Sequence, residues 1–592
     1  MTETVPETIA RPAAIDQLEI EFFRYALSAV LNELELSLVQ SAYSPLIYEY
    51  KDFAVGVLSP AFELMNHSSM STPGFLADLG DTVRDAVEIV GSDRLGPGDA
   101  ILTNYAAVQG QHLNNMVIIA PLYQSEAKVA YLAIRAHWSD IGGIEPGSMS
   151  WRATEIYHEG MQFRGMRVMT AGQLLPEAVA TCVANSRLED YIRGDLTAQV
   201  GCCLLGQTRW NDRIASRWSP AYVAQLWAAQ REQSHALAKS RIRGLPDGRY
   251  HASCRTDDSG LAGTESLELN VGVTIEGDSM TIDLTGYPDQ VTAPINSGAP
   301  RRHRVACRAL IAPDYPIDEG ILSAVEVRFR PGTIISAGKG AAMGHWNSAG
   351  PNLSDLIYRA IGEKHPEKVP AGHHASMNVF IFSGRGANGS WWQTIDTAGG
   401  GWGGHARADG FSPLKTLGHG DNKDIPVELI EGRFPLRVDS LEYIPDSGGS
   451  GTHRGGLGVR RRITVLDTVY LTTSMDRTLD PPWGLSGGES GRPGSVRIRQ
   501  AGQDSWTEST KVSMLELQRG SEVEICTAGG GGWGPPDGRP AAACELDRLN
   551  GFVTGDGSRP PAPGAARTRP RASVETAAFT WRISQWNETS PD

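Results

Sequence analysis

Two glycine runs limit how this chain can fold more than any other feature. Gly399-Gly400-Gly401-Trp402-Gly403-Gly404 and Ala528-Gly529-Gly530-Gly531-Gly532-Trp533-Gly534 lie in a stretch, from about 375 to 535, where glycine density rises. Lacking a Cβ, glycine enters φ > 0 and lets neighbouring backbones approach closely. Short β-like segments separate the runs, so this half of the chain reads as β-rich and turn-rich. No regular repeat of solenoid length connects the two.

A nucleotide reading of these glycines lacks the rest of its chemistry. The G-x-x-x-x-G-K-[ST] phosphate loop is absent from the sequence. Both runs satisfy G-x-G-x-x-G only because they are nearly all glycine. The first leads into Arg407-Ala408-Asp409-Gly410 and the second into Pro535-Pro536, neither a clear helix, so both read as tight turns. Gly484-Leu485-Ser486-Gly487-Gly488 spells a nucleophile elbow, yet it follows Pro481-Pro482 and runs into more glycine instead of joining a strand to a helix.

The N-terminal half has another texture. Phe23, Leu27, Val30, Leu34 and Leu38 recur at helical spacing and predict a helix from Asp16 to about Gln40. Asp52–Leu58, Met116–Ala120 and Val129–His137 read as strands, and helices are expected within 75–96, over much of 170–243, at 304–312 and at 352–362. Arg209–Trp218 reads as one helix, and Pro220 as the first residue of the next. Ser266–Val273 and Met280–Leu284 suggest a further sheet. The expected fold class is α+β: a large mixed multi-layer fold, helical in its N-terminal and middle segments, with a Gly-rich, β-rich C-terminal half. The texture divides into a flexible arm (1–15), an α/β N-terminal region carrying the site (16–245), a mixed α/β region (246–375), a Gly-rich β region (376–536) and a largely disordered tail (537–592) holding a short β-like patch, Ala577–Ile583.

Composition excludes some classes. At 592 residues and 40% apolar content the chain can bury more than one core. A formal net charge of −14 argues against nucleic acid, and the one basic run, Arg460-Arg461-Arg462, reads as a solvated strand edge. Seven scattered cysteines without C-x-x-C indicate a reducing compartment with buried, inert thiols. The first fifteen residues lack the apolar stretch of a signal peptide, and no apolar run reaches transmembrane length, so a cytoplasmic location without membrane contact is expected.

Chemistry concentrates between residues 98 and 160. In His137-Trp138-Ser139-Asp140-Ile141-Gly142-Gly143 an imidazole and a carboxylate three apart follow a strand end, where a turn can aim both at one cation. The alternative is a hydrogen-bonded pair that orders the loop. A third ligand can come from His158 downstream or His112 upstream. His345-Trp346-Asn347 and His373-His374 are secondary candidates, the latter because adjacent residues of a strand point to opposite faces.

These strings, in this order, resemble the hydantoinase B/oxoprolinase family from about Asp16 to Pro536. Ser44, Pro45, Ile47, Glu49, Asp52 and Phe53 match its S-P-x-I-x-E-x-x-D-F stretch, and Pro97-Gly98-Asp99 its P-G-D entry. Gly110-Gln111-His112-Leu113, His137 to Gly143 and Glu155 to Gly160 match G-x-H-L, H-x-x-D-I-G-G and E-I-x-x-E-G. Pro445-Asp446-Ser447-Gly448-Gly449, Arg454-Gly455-Gly456-Leu457-Gly458 and Pro482-Trp483-Gly484-Leu485 continue the match. The resemblance implies the B-type subunit of an ATP-dependent cyclic amide hydrolase, with ATP held by a separate A-type subunit in a hetero-oligomer. The alternatives are a subunit of an ATP-dependent ketone carboxylase and a non-catalytic scaffold. It also implies a divalent metal, Zn or Mn, on His137, Asp140 and His158, with His112, His137 and Asp140 catalytic and Asn115 and Arg135 at the substrate. The sequence departs from the family where Asn104-Tyr105-Ala106 replaces N-D-P and His112-Leu113-Asn114-Asn115 replaces H-L-P-D. Two carboxylates are therefore missing near the expected site, which argues against simple 5-oxoproline hydrolysis.

Overall fold

A computed structural model describes residues 15–258 and 266–554. The first helix spans Gln17–Ser41, begun by Asp16, whose side chain accepts from the Leu18 amide at 3.1 Å. Its buried stripe includes the five predicted apolar positions, joined by Ile20 and Leu31. That stripe covers one face of an antiparallel seven-stranded sheet made of β1 (Phe53–Leu58), β2 (Leu64–His67), β3 (Ala100–Thr103), β4 (Asn115–Gln124), β5 (Ala127–His137), β6 (Arg164–Thr170) and β7 (Gln173–Leu174), in the order β2-β1-β5-β4-β3-β6-β7. Helices Glu189–Trp210 and Pro220–Ile242 complete this cover, with Phe23 edge-on to Trp218 and Trp227. Helix Leu79–Val90 packs on the other face with Val305, Ile317 and Leu322. Both faces of the central strands are thus apolar. The expected helix Arg209–Trp218 is instead the end of Glu189–Trp210 running into a π-helical turn, Asn211–Ala215, before Pro220 opens the next helix.

Three further sheets follow. Gly248–Arg255, Glu268–Glu276, Ser279–Asp283 and Val325–Arg328 form one, covered by helix Gly350–Gly362. The other two pack over a shared core containing Ile381, Phe382, Leu471, Ile463 and Ile525. The basic run lies here and is not an edge. Strand Val459–Val465 is paired on both sides, and alternation turns Arg461 inward, where it binds Asp396 at 2.5 Å and Asp424 at 3.0 Å. Residues after 537 also depart from expectation, since helix Ala541–Leu549 is held by Arg539, which bridges Asp409 and Asp547 at 2.7 Å each. The patch Ala577–Ile583 lies outside the described residues. Five of the seven cysteines are buried, and no described helix is long and apolar enough to cross a membrane.

The glycine runs owe their composition to crowding rather than to turns. Of the glycines in the two runs only Gly534 has positive φ, +73°. The others lie in extended segments that hydrogen-bond laterally. Gly401 N donates to Ala528 O at 3.0 Å, Gly530 N to Gly456 O at 2.9 Å, and Gly456 N to Trp402 O at 2.8 Å. A Cβ on Gly530 would stand 2.0 Å from the Trp402 carbonyl oxygen, and one on Gly455 1.9 Å from that of Gly530. Both obstacles are backbone, which cannot rotate away, much as only glycine fits the crowded axis of collagen. Gly530→Ala is expected to lower stability by about 3 kcal/mol or more, at or beyond the upper end of ordinary overpacking. A urea midpoint equal to that of the unsubstituted protein would contradict this packing.

Candidate functional site

His137 is the last residue of β5, and register decides its company. It pairs with Asn115 at the start of β4, and its amide donates to the Asp52 carbonyl at 3.1 Å, just before β1. Antiparallel partners point to the same face, so the two strand ends present His137 and Asn115 together. His112 reaches this face from a loop that turns at Gly110, where φ is +60° and the Gly298 backbone leaves no room for a Cβ. The His112 and His137 rings meet edge to face with centroids 4.8 Å apart.

A chain of polar groups sets the orientation of His112. Arg135 is fully buried and grips Asp78 through two bonds of 3.0 and 2.8 Å. Gln111 Nε2 donates to the same Asp78 at 3.1 Å, and Gln111 Oε1 accepts from Asn115 Nδ2. Asn115 Oδ1 is then left to accept from His112 Nε2 at 3.1 Å. His112 therefore carries its proton on Nε2, and its Nδ1 is a buried lone pair without a partner among the described residues. His137 Nδ1 likewise has no partner among the described residues. Burial pushes His112 down to about 4 and His137 well below the usual histidine range, so both are neutral at pH 7.

The loop over this pair comes from far along the chain. Glu159 Oε1 accepts from the Met343 and Gly344 amides at 2.6 Å each, while Oε2 is buried without a partner among the described residues. Burial pushes this carboxyl up to about 8. His345 stacks on Trp151 at 3.9 Å, and both its ring nitrogens lack partners among the described residues. Trp346 stands edge-on to His112 at 6.1 Å. Asp52 is raised to about 7 by burial, an effect opposed by the Lys415 charge.

The expected ligand set is not brought together. Asp140 is a clasp for its glycine loop: its oxygens accept from the amides of Gly142, Gly147 and Arg187 at 3.2, 2.9 and 3.0 Å and from the Arg187 guanidinium at 3.0 Å. His158 is 37% exposed and lies against Thr154 and Glu155. Among the described residues no group of three or more His, Cys, Asp or Glu is placed to hold a metal. Arg135, expected at the substrate, is sealed beneath the sheet face by Asp78, whereas Asn115 does border the histidine pair. Sequence reasoning took Glu159 only as part of a motif and ranked His345 second, because the contacts that place them, Glu159 with Met343 at a separation of 184 residues and His345 with Trp151, are long-range.

The Hydantoinase B/oxoprolinase family pattern matches residues 16–536. This chain belongs to that family. It is 27% identical over 563 residues to the B-type chain of a putative D-/L-hydantoinase of Pseudomonas sp., covering 91% of this chain and 93% of that one. It is 26% identical over 567 residues to the beta chain of the caprolactamase of Pseudomonas jessenii, covering 92% and 95%. The crystal structure of the ATP-dependent caprolactamase from Pseudomonas jessenii superposes with a TM-score of 0.85 at 25% identity, over 92% of this chain and 96% of that one.

Glu159 gives the site a pH signature with a definite sign. Its pKa rises from the ordinary 4.5 to about 8 on folding, so the folded state binds the extra proton. Stability is retained below about 4.5 and lost as pH rises toward about 8, by at most about 1.4 kcal/mol per unit. Glu159→Gln removes the titration, and urea midpoints measured from pH 5 to 8 are expected to fall less in the variant than in the unsubstituted protein. Parallel curves would mean that Glu159 ionises normally.

Proposed function

We propose that this protein is the B-type component of an ATP-dependent hydrolase of cyclic amides, working with a separate A-type subunit that binds ATP. The observation that carries the reading is the pair His112 and His137, neutral and buried with Nδ1 atoms unpartnered among the described residues, together with a buried Glu159 held by the Met343 and Gly344 amides, in a chain alignable along its length with one chain each of a caprolactamase and a putative hydantoinase. A B-type chain without a phosphate loop leaves nucleotide binding to its partner, which would phosphorylate the amide oxygen and make the carbonyl carbon electrophilic. Water then adds to that carbon as its proton passes to His112 Nδ1. The C–N bond breaks as Glu159 Oε2 supplies the proton taken up by the departing nitrogen, and the acyl phosphate that remains is cleaved by a second water to the carboxylate and inorganic phosphate. Asn115, bonded to His112 Nε2, steadies the imidazole as charge develops on it.

The divalent cation implied by the family, Zn or Mn, fits this pair better than the set first drawn from sequence. If that cation is bound, His112 and His137 would hold it through their unpartnered nitrogens, so that His112 Nδ1 would serve as a ligand in place of a base, and the cation would supply a Lewis acid and a more acidic water.

Co-expression with an A-type subunit, followed by assays with ATP, cyclic amides and labelled bicarbonate, tests the reading. Ring opening without label is expected; stable label in the product would assign the chain to ATP-dependent carboxylation. His112→Ala and Glu159→Gln are each expected to lower kcat about a hundredfold or more. His158→Ala is expected to stay near the unsubstituted rate. Metal content should fall in His112→Ala and His137→Ala and persist in His158→Ala, and the reverse pattern would restore the ligand set read from sequence.

A further inference from the structure

Next to His112 lies a buried charge that the catalytic reading does not use. Arg302 is 4% exposed and sits on the turn Pro300–His303. Its Nη2 donates to the Gln109 carbonyl and stands 3.9 Å from Asp78 Oδ1. Nε and Nη1 have no partner among the described residues. Asp78 is already committed, with both oxygens bonded to Arg135 and each taking a further bond, from Gln111 and Thr82. Two buried guanidiniums thus share one carboxylate, leaving one positive charge without a counterion among the described residues. An uncompensated buried ion is strongly unfavourable unless something of opposite charge arrives to pair it.

The surroundings show where that partner would sit. A cavity of about 40 Å³ is lined by Arg302, His303, Trp346, Thr416, Gly74 and Gly418, among others, and by no acidic side chain. The Trp346 ring lies against the guanidinium at 4.8 Å, covering its face and leaving its edge to bind. His303 Nε2 and Trp346 Nε1 are also buried without partners among the described residues. Trp346 meets His112 edge-on, so the cavity adjoins the histidine pair. The volume is that of roughly one or two water-sized groups, which suits a carboxylate better than a phosphoryl group.

We propose that Arg302, His303 and Trp346 form an anion subsite that takes a carboxylate carried by the substrate. This rests on the amide-hydrolase reading for the rest of the substrate and on the unpaired guanidinium for the anion. The free N–H groups of Arg302 can donate to the oxygens of a carboxylate, which fixes where the ring lies relative to His112. Cyclic amides without an acidic substituent would leave the cation unpaired and bind weakly.

Calorimetry on the full chain tests this without turnover, using 2-pyrrolidone and 5-oxoproline, one ring without and with the carboxylate, together with acetate and inorganic phosphate. We expect 5-oxoproline to bind roughly tenfold to a hundredfold more tightly than 2-pyrrolidone, acetate to compete with it, and Arg302→Met to level the two lactams. Equal affinity of the unsubstituted chain for both lactams overturns the subsite, and that comparison needs no variant to fold. Preference for phosphate over acetate overturns the carboxylate assignment. If neither lactam binds but acetate binds and is lost in Arg302→Met, the anion subsite stands and the amide reading falls. If no anion binds, the subsite falls whatever the outcome with the lactams.

Discussion

The site depends on one buried carboxylate, Asp78. A charge this deep must be paired and hydrogen-bonded or it neutralises. Asp78 meets the requirement with Arg135, Gln111 and Thr82, and each partner holds something else in place. Arg135 fixes strand β5 to the residues that lead into helix Leu79–Val90. Gln111 passes the constraint through Asn115 to His112, so the lone pair of a buried imidazole is oriented by a carboxylate it never touches. The same full commitment leaves Arg302 short of a counterion. Structural order on one side of Asp78 and an electrostatic vacancy on the other come from one set of hydrogen bonds.

Asn115 takes on added meaning in this chain. An aspartate there would face Gln111 Oε1, an acceptor, with no proton to offer, and the link from Asp78 to His112 would break or turn over. The amide donates at one end and accepts at the other, which is what a relay between Gln111 and an imidazole N–H requires. The departure from H-L-P-D is therefore compatible with a working histidine. Its consequence is a weaker local negative charge, so any cation held by the pair must draw compensation from substrate.

The fold was legible where burial follows a local period. The stripe from Phe23 to Leu38, the strand ending at His137 and the proline opening Pro220–Ile242 all follow from short-range patterns. The site was less legible because sequence nearness was read as spatial convergence. Asp140 and His158 lie close to His137 along the chain, but Asp140 turns into the glycine loop and His158 faces outward. Strand register brings Asn115 to His137 and a ring contact brings His112, while Glu159 is tied to a loop that begins 184 residues farther on, at Met343. Arg461 misled for a similar reason, since a run of three arginines looks solvated until strand alternation turns the middle one inward.

Glycine packing and the site are one problem seen at two scales. Trp151, on which His345 stacks, is held from the C-terminal half: its indole donates to the Thr473 carbonyl at 2.7 Å and its amide to Ser513 Oγ at 3.1 Å. Gln393 reaches the Ser139 carbonyl at 3.2 Å, and Tyr50 bonds Thr397 at 2.6 Å. The N-terminal sheet contributes His112 and His137, but the groups that close over them are anchored to strands of the glycine-rich half. Such anchors keep their geometry only if that half is rigid, and backbone segments locked by lateral hydrogen bonds with no space for a Cβ are harder to deform than side chains that can change rotamer. The glycines that could be mistaken for a phosphate loop act at a distance, by fixing the frame against which two neutral imidazoles and a protonated carboxyl are held.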